Sequence, residues 1–128
     1  MSEPIAFISH FWVKPGKRED VTRLFQDASK RLEADKPRTL VFLAYFNETG
    51  TQVSFLHAFA DAESMDAHFE GSDERGRAAY EYVDPAGWEF YGRPSPHALE
   101  TMRQAATSAG VTLSVEPDYL GGFLRLRS

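Results

Sequence analysis

Ile5-Ala6-Phe7-Ile8-Ser9-His10-Phe11-Trp12-Val13 is dense in aromatic and β-branched residues and reads as a β-strand. Alternation puts Ile5, Phe7, Ser9, Phe11 and Val13 on one face and Ala6, Ile8, His10 and Trp12 on the other. Both faces are mostly apolar, which is the pattern of a central strand covered on both sides. Lys14-Pro15-Gly16-Lys17 closes it with a turn.

Working outward, residues 18–35 carry Val21, Leu24, Phe25, Ala28 and Leu32 at helical spacing opposite a charged face, and Pro37 follows. Residues 39–47 and 52–60 read as two more strands, joined as a hairpin through Asn47-Glu48-Thr49-Gly50. In the first, Leu40, Phe42, Ala44 and Phe46 alternate with Val41, Leu43, Tyr45 and Asn47. In the second, Val53, Phe55, His57 and Phe59 share a face. Asp61 is placed to cap a short helix bearing Ala62, Met65 and Phe69, which Gly71 ends. Ser72 is expected to cap another, running through Tyr82. Asp84-Pro85 is expected to break it, and residues 87–92 read as a fourth strand.

The order strand, helix, strand, strand, helix, strand is the split βαβ, or ferredoxin-like, arrangement. The fold class is therefore α+β, an antiparallel sheet with helices on one face. The last third adds a helix with Ser95 at its N-cap, Pro96 at N1 and Gly110 just past its end. Leu99, Met102, Ala106 and Ala109 are its expected buried stripe, and short strands are expected near 112–115 and 122–126. Nothing resembling a flexible linker precedes this part. Residues 1–128 thus read as one domain, with a core of about residues 5–92 and a C-terminal extension of about 95–128.

Composition narrows the function classes. A chain of 128 residues can bury one real core. Its 42% hydrophobic content, with ten Phe, five Tyr and two Trp, excludes disordered and low-complexity classes. Without cysteine there are no disulfides, Cys-ligated zinc, iron–sulfur clusters or thiol catalysis. A net charge of −5 argues against nucleic acid as the main partner. No apolar run approaches the roughly 20 residues of a membrane span. Met1-Ser2-Glu3-Pro4 lacks the basic start of a secretory signal, so a cytoplasmic protein away from membranes is expected.

Two stretches carry a family resemblance. Val13-Lys14-Pro15-Gly16-Lys17 after the first strand, and Phe59-Ala60-Asp61-Ala62-Glu63-Ser64-Met65-Asp66-Ala67-His68 after the third, resemble the antibiotic biosynthesis monooxygenase family of dimeric α+β barrels. The resemblance covers about residues 5–92. It implies a homodimer of two ferredoxin-like sheets. It also implies oxidation of a phenolic, quinol or polycyclic aromatic substrate by molecular oxygen, with no metal, flavin or other cofactor. Where many relatives carry Glu and then Trp, this chain has His57 and Phe59; His68 is kept. The positions that serve haem-degrading relatives hold Ser9, Phe59 and Ala78, so haem degradation loses support. The extension beyond residue 95 lies outside the resemblance.

Oxygenation without a cofactor requires an electron-rich substrate anion in an apolar pocket, with a few polar groups to fix it. Histidine suits the proton transfer, and Tyr, Trp, Asn and Arg supply hydrogen bonds. The candidate catalytic residues are His57, His10 and Tyr45. Candidate substrate contacts are Trp12, Asn47, Phe55, His68, Trp88, Tyr91 and Arg93. In a ferredoxin-like sheet the first and third strands are neighbours, so His10 and His57 lie near each other, on the same or opposite faces. His57, His68 and Glu63 match no strong metal-ligand spacing, and no metal is expected. His97 is expected at the surface, and Asp73-Glu74-Arg75 reads as a solvated face. Two other functions fit the same residues: an acid–base cyclase, isomerase or dehydratase, and a non-catalytic binder of small aromatics. Because helices cover only one face of such a sheet, while these strands are apolar on both, the second face is expected to meet another copy.

Overall fold

The computed structural model describes residues 3–125. Ile5–Val13 form β1, the middle strand of the sheet. It is followed by α1 (Arg18–Asp35), β2 (Thr39–Phe46), β3 (Gln52–Phe59), α2 (Ala62–Phe69), α3 (Ser72–Ala79), β4 (Val83–Tyr91), α4 (Pro96–Ala109) and β5 (Thr112–Glu116). The sheet order is β2-β3-β1-β4-β5. The first four strands pair antiparallel, as a ferredoxin-like arrangement requires. β5 adds a parallel edge to β4, with α4 as the crossover, so the sheet is mixed rather than purely antiparallel.

The helices pack on one face. There β1 buries Ile5, Phe7, Ser9 and Phe11, β3 buries Val53, His57 and Phe59, and β4 buries Trp88 and Phe90. Phe59, Phe90 and Met65 are fully enclosed. The C-terminal helix joins the same core through Ala98 and Ala106. The opposite face has no helix over it among the described residues and leaves Trp12, Leu43 and Tyr45 between 46% and 60% exposed.

The caps follow their chemistry. The Asp61 carboxylate accepts from Ser64 N at 2.7 Å and starts α2. Ser95 Oγ accepts from Ala98 N, and Gly110 ends α4 in the left-handed conformation. Asn47 Oδ1 accepts from the backbone N–H groups of Thr51 and Gln52, which fixes the hairpin turn.

Several expectations are corrected. Strand β4 begins at Val83 and runs through Pro85 instead of starting at Gly87. Phe11 faces Pro85 and His10 faces Gly87, so Ala86 is a bulge. β5 reaches β4 only from Gly87 onward, which leaves Pro85 on an unpaired margin where its missing N–H costs nothing. Gly71, in the left-handed region, is the N-cap of α3; Ser72 is its first residue, and the helix stops at Ala79. In β2 Leu40 is bulged out of the alternation and exposed. On α4 Ala98 is buried while Ala109 is exposed. No strand forms over residues 122–125, and Leu126 lies outside the described residues. Tyr119, Leu120, Phe123 and Leu124 are exposed along the tail.

Candidate functional site

Between the sheet and α1, α2 and α3 lies a cavity of about 520 Å³, within the range of small-molecule sites. Its walls are aromatic. Phe25 of α1 stacks on Phe42 of β2 at 4.8 Å, and Phe55 of β3 lies 5.5 Å from both Phe25 and Phe11. α3 crosses its mouth without a single buried residue. This cavity explains why Leu24, Phe25 and Ala28, the middle of the α1 apolar stripe, are only half-buried: they face a space instead of a packed wall.

Two histidines stand in this wall. His57 comes from β3, where the alternation of Val53, Phe55 and Phe59 directs it inward. His68 comes from the last turn of α2. Their ring centroids are 5.1 Å apart, edge to face. His57 Nδ1–H donates to the Phe7 carbonyl at 3.0 Å. Because a carbonyl only accepts, Nε2 of the neutral ring carries the lone pair. His68 Nδ1 lies 2.7 Å from Thr39 Oγ1. No buried side-chain nitrogen or oxygen is orphaned among the described residues. Both rings line the cavity, and beyond these bonds neither is held by another side chain among the described residues. Ser9, the one polar side chain on the inward face of β1, lines it too.

Burial dominates the electrostatics. It pulls His57 down to about 4, with the Arg75 charge adding to the effect against the Phe7 carbonyl. His68 falls to about 3, first through burial, then through the charges of His57, Arg75 and Lys36. Both imidazoles are thus uncharged near neutrality. Arg75 is not part of a solvated face, as the sequence suggests. It lines the cavity, with Nη2 donating to the His68 carbonyl at 2.6 Å and Nη1 to the Glu70 carbonyl at 3.1 Å.

The structure separates the residues singled out in the sequence. His57, His68 and Phe55 meet at the cavity. His10 and His57 point to opposite faces of the sheet. His10 instead sits in a polar chain on the open face: Ser54 Oγ to His10 Nδ1 at 2.7 Å, and His10 Nε2 to Glu89 Oε1 at 2.7 Å. Tyr91 OH donates to Glu89 Oε2 at 2.9 Å. The His10 hydrogen bond, followed by that of Tyr91, holds the Glu89 carboxyl below its usual range. Tyr45 and Trp12 share that open face. Trp88 lies on the helix side but is packed edge-on against Phe11 in the core. Asn47 organises the hairpin turn, and Arg93 pairs with Asp118 of the extension. His97 is exposed. Glu63 faces Arg38 at 3.8 Å. Among the described residues no three His, Cys, Asp or Glu side chains gather as a metal site would need. Ser9 and Arg75 are the site residues that sequence reasoning passed over. The signal for Ser9 was present: a lone hydroxyl among Ile5, Phe7, Phe11 and Val13. Arg75 carried none, since its burial depends on how α2 and α3 meet.

No family model matches the sequence, and no curated protein matches it. Solved structures do. MupZ from Pseudomonas fluorescens superposes with a TM-score of 0.70 at 15% identity, over 99% of this chain and 100% of that one. A candidate antibiotic biosynthesis monooxygenase from Caulobacter crescentus gives 0.62 at 19% identity, over 70% and 88%. A variant of SnoaB, a cofactor-independent oxygenase from Streptomyces nogalater, gives 0.61 at 11% identity, over 74% and 99%. The fold is that of the antibiotic biosynthesis monooxygenases, as the two sequence stretches imply. The match to MupZ also takes in the C-terminal extension. No helix among the described residues is long and apolar enough to cross a membrane.

Proposed function

We propose that the chain is a cofactor-independent monooxygenase that takes a phenol, quinol or polycyclic aromatic into the helix-side cavity. One observation carries this reading: two uncharged imidazoles line an aromatic-walled chamber of about 520 Å³. Apolar walls exclude water from a reactive anion. His57 Nε2 accepts the hydrogen bond of a substrate hydroxyl, while Ser9 and His68 fix its orientation. A lone imidazolium is disfavoured here, so the proton crosses only as an ion pair forms with the substrate oxyanion. The electron-rich ring then reacts with molecular oxygen. At an anthrone-type methylene, both C–H bonds are lost, one oxygen atom becomes the carbonyl, and the other leaves as water. All the electrons come from the substrate, so no reductant is required. The shared fold with a cofactor-independent oxygenase supports this reading.

An oxygen electrode with a panel of hydroquinones and anthrones tests it. Wild type consumes oxygen, His57→Ala loses at least about 100-fold, the usual worth of an acid–base group, and His10→Ala on the opposite face retains its rate. No uptake by wild type across the panel overturns the reading. Turnover that persists without oxygen makes the protein an acid–base cyclase, isomerase or dehydratase instead.

The open sheet face belongs against a second copy. It presents Trp12, Leu43 and Tyr45 around half-buried Ile8 and Leu56, and such a contiguous apolar surface is costly in water. Light scattering at micromolar concentration is expected to show twice the chain mass; a single 14.4 kDa species contradicts this.

A further inference from the structure

The cavity is apolar, yet its mouth is cationic. Arg31, Lys36 and Arg75 line it, against two carboxylates, Asp35 and Glu74, in a chain whose overall charge is −5. Among these cations Lys36 and Arg75 are half-buried, and Arg75 is the one whose charge bears on both His57 and His68. No carboxylate lies within 4.0 Å of its guanidinium among the described residues, and its hydrogen bonds go to two backbone carbonyls, those of His68 and Glu70. Those bonds use two of its five N–H donors. The carbonyls hold the guanidinium across the negative end of the α2 dipole, which steadies it in part but supplies no full counter-charge. A half-buried cation with no carboxylate partner favours an anion. Its neighbours His57 and His68 cannot provide the anion, since both are neutral or cationic at every pH of interest.

We infer that the substrate binds as an oxyanion, an aromatic carrying an ionised carboxylate or acidic hydroxyl, and that Arg75 is its counter-ion. This deepens the oxygenase reading and rests on the cavity being the substrate site. It also resolves a difficulty in that reading. Imidazoles this reluctant to become charged are weak bases, and a fixed guanidinium beside them lets the substrate hold its negative charge without demanding a stable imidazolium.

Calorimetry with 2-naphthoate and 2-naphthylmethanol, one ring system in anionic and neutral form, tests the inference. Wild type is expected to bind naphthoate at least about tenfold more tightly, the worth of one charge-assisted contact, despite the repulsion of a net negative protein. Arg75→Gln is expected to remove the preference while still binding the alcohol. Should Arg75→Gln fail to fold for want of its bonds to α2, Arg75→Lys decides. It keeps the charge but loses the planar fork, and a reduced preference is expected. Equal binding of both probes by wild type overturns the inference and leaves the cavity reading intact. An undiminished preference in Arg75→Gln, or in Arg75→Lys where that variant decides, also overturns it. Binding of neither probe overturns the cavity reading itself.

Discussion

The two faces of one sheet treat histidine in opposite ways. On the helix side, His57 and His68 are enclosed by aromatic rings, have no carboxylate beside them and stay uncharged. On the open side, His10 is one-third exposed and spans Ser54 and Glu89 in a chain of short hydrogen bonds. The strands are the same, and alternation alone decides which environment each residue meets. A chamber with neutral polar groups suits ligand chemistry. A satisfied hydrogen-bonded chain amid apolar residues suits the fixing of strand register.

The largest expected contrast is in packing. Phe59→Ala removes a fully enclosed ring from the helix side and is expected to cost about 3–5 kcal/mol in a urea melt. Leu43→Ala on the open face is expected to cost under about 1 kcal/mol in a dilute monomer, because that side chain is 46% exposed. Equal costs would break the comparison of a packed face with an uncovered one.

Next is the acid response. The unfolded chain protonates its histidines near 6.5, whereas folded His57 resists until about 4. Between those values the unfolded state binds more protons, so stability is fully present above about pH 6.5 and drains away as pH falls toward 4. The loss is on the order of 3 kcal/mol for His57. Denaturant melts from pH 7 to 4 read it together with a comparable share from His68, and His57→Phe is expected to make the curve shallower without levelling it. An unchanged slope in that variant would refute the assignment.

The smallest effect belongs to the open face. Glu89→Gln is expected to cost about 1 kcal/mol or less in the monomer, since His10 and Glu89 are both near one-third exposed and screened by solvent. Added salt should shrink it further; a cost of several kcal/mol would mean that the pair is far more enclosed than the sheet alone makes it.

Much of this was legible before the structure. The alternation in residues 5–13, the hairpin at Asn47 and the caps at Asp61 and Ser95 are local signals, and local chemistry honours them. Pro85 misled because its tolerance depends on a bulge and on where β5 begins, both set by other strands. His57 reads as an inward residue from its neighbours Phe55 and Phe59. Its meeting with His68 does not, since that depends on how α2 returns over the sheet. The grouping of His10 and Tyr45 with His57 was a question of face, which strand order alone leaves open. Arg75 sits among charges in sequence and beside a cavity in space.

The central claim is that ligand chemistry belongs to the helix-side face. Mapping amide and histidine NMR shifts during a 2-naphthol titration tests it most directly. The account predicts saturable shifts at Ser9, Phe55, His57 and His68, with His10, Tyr45 and Trp12 unmoved. Shifts centred on His10, Tyr45 and Trp12, with the helix-side histidines silent, would contradict it.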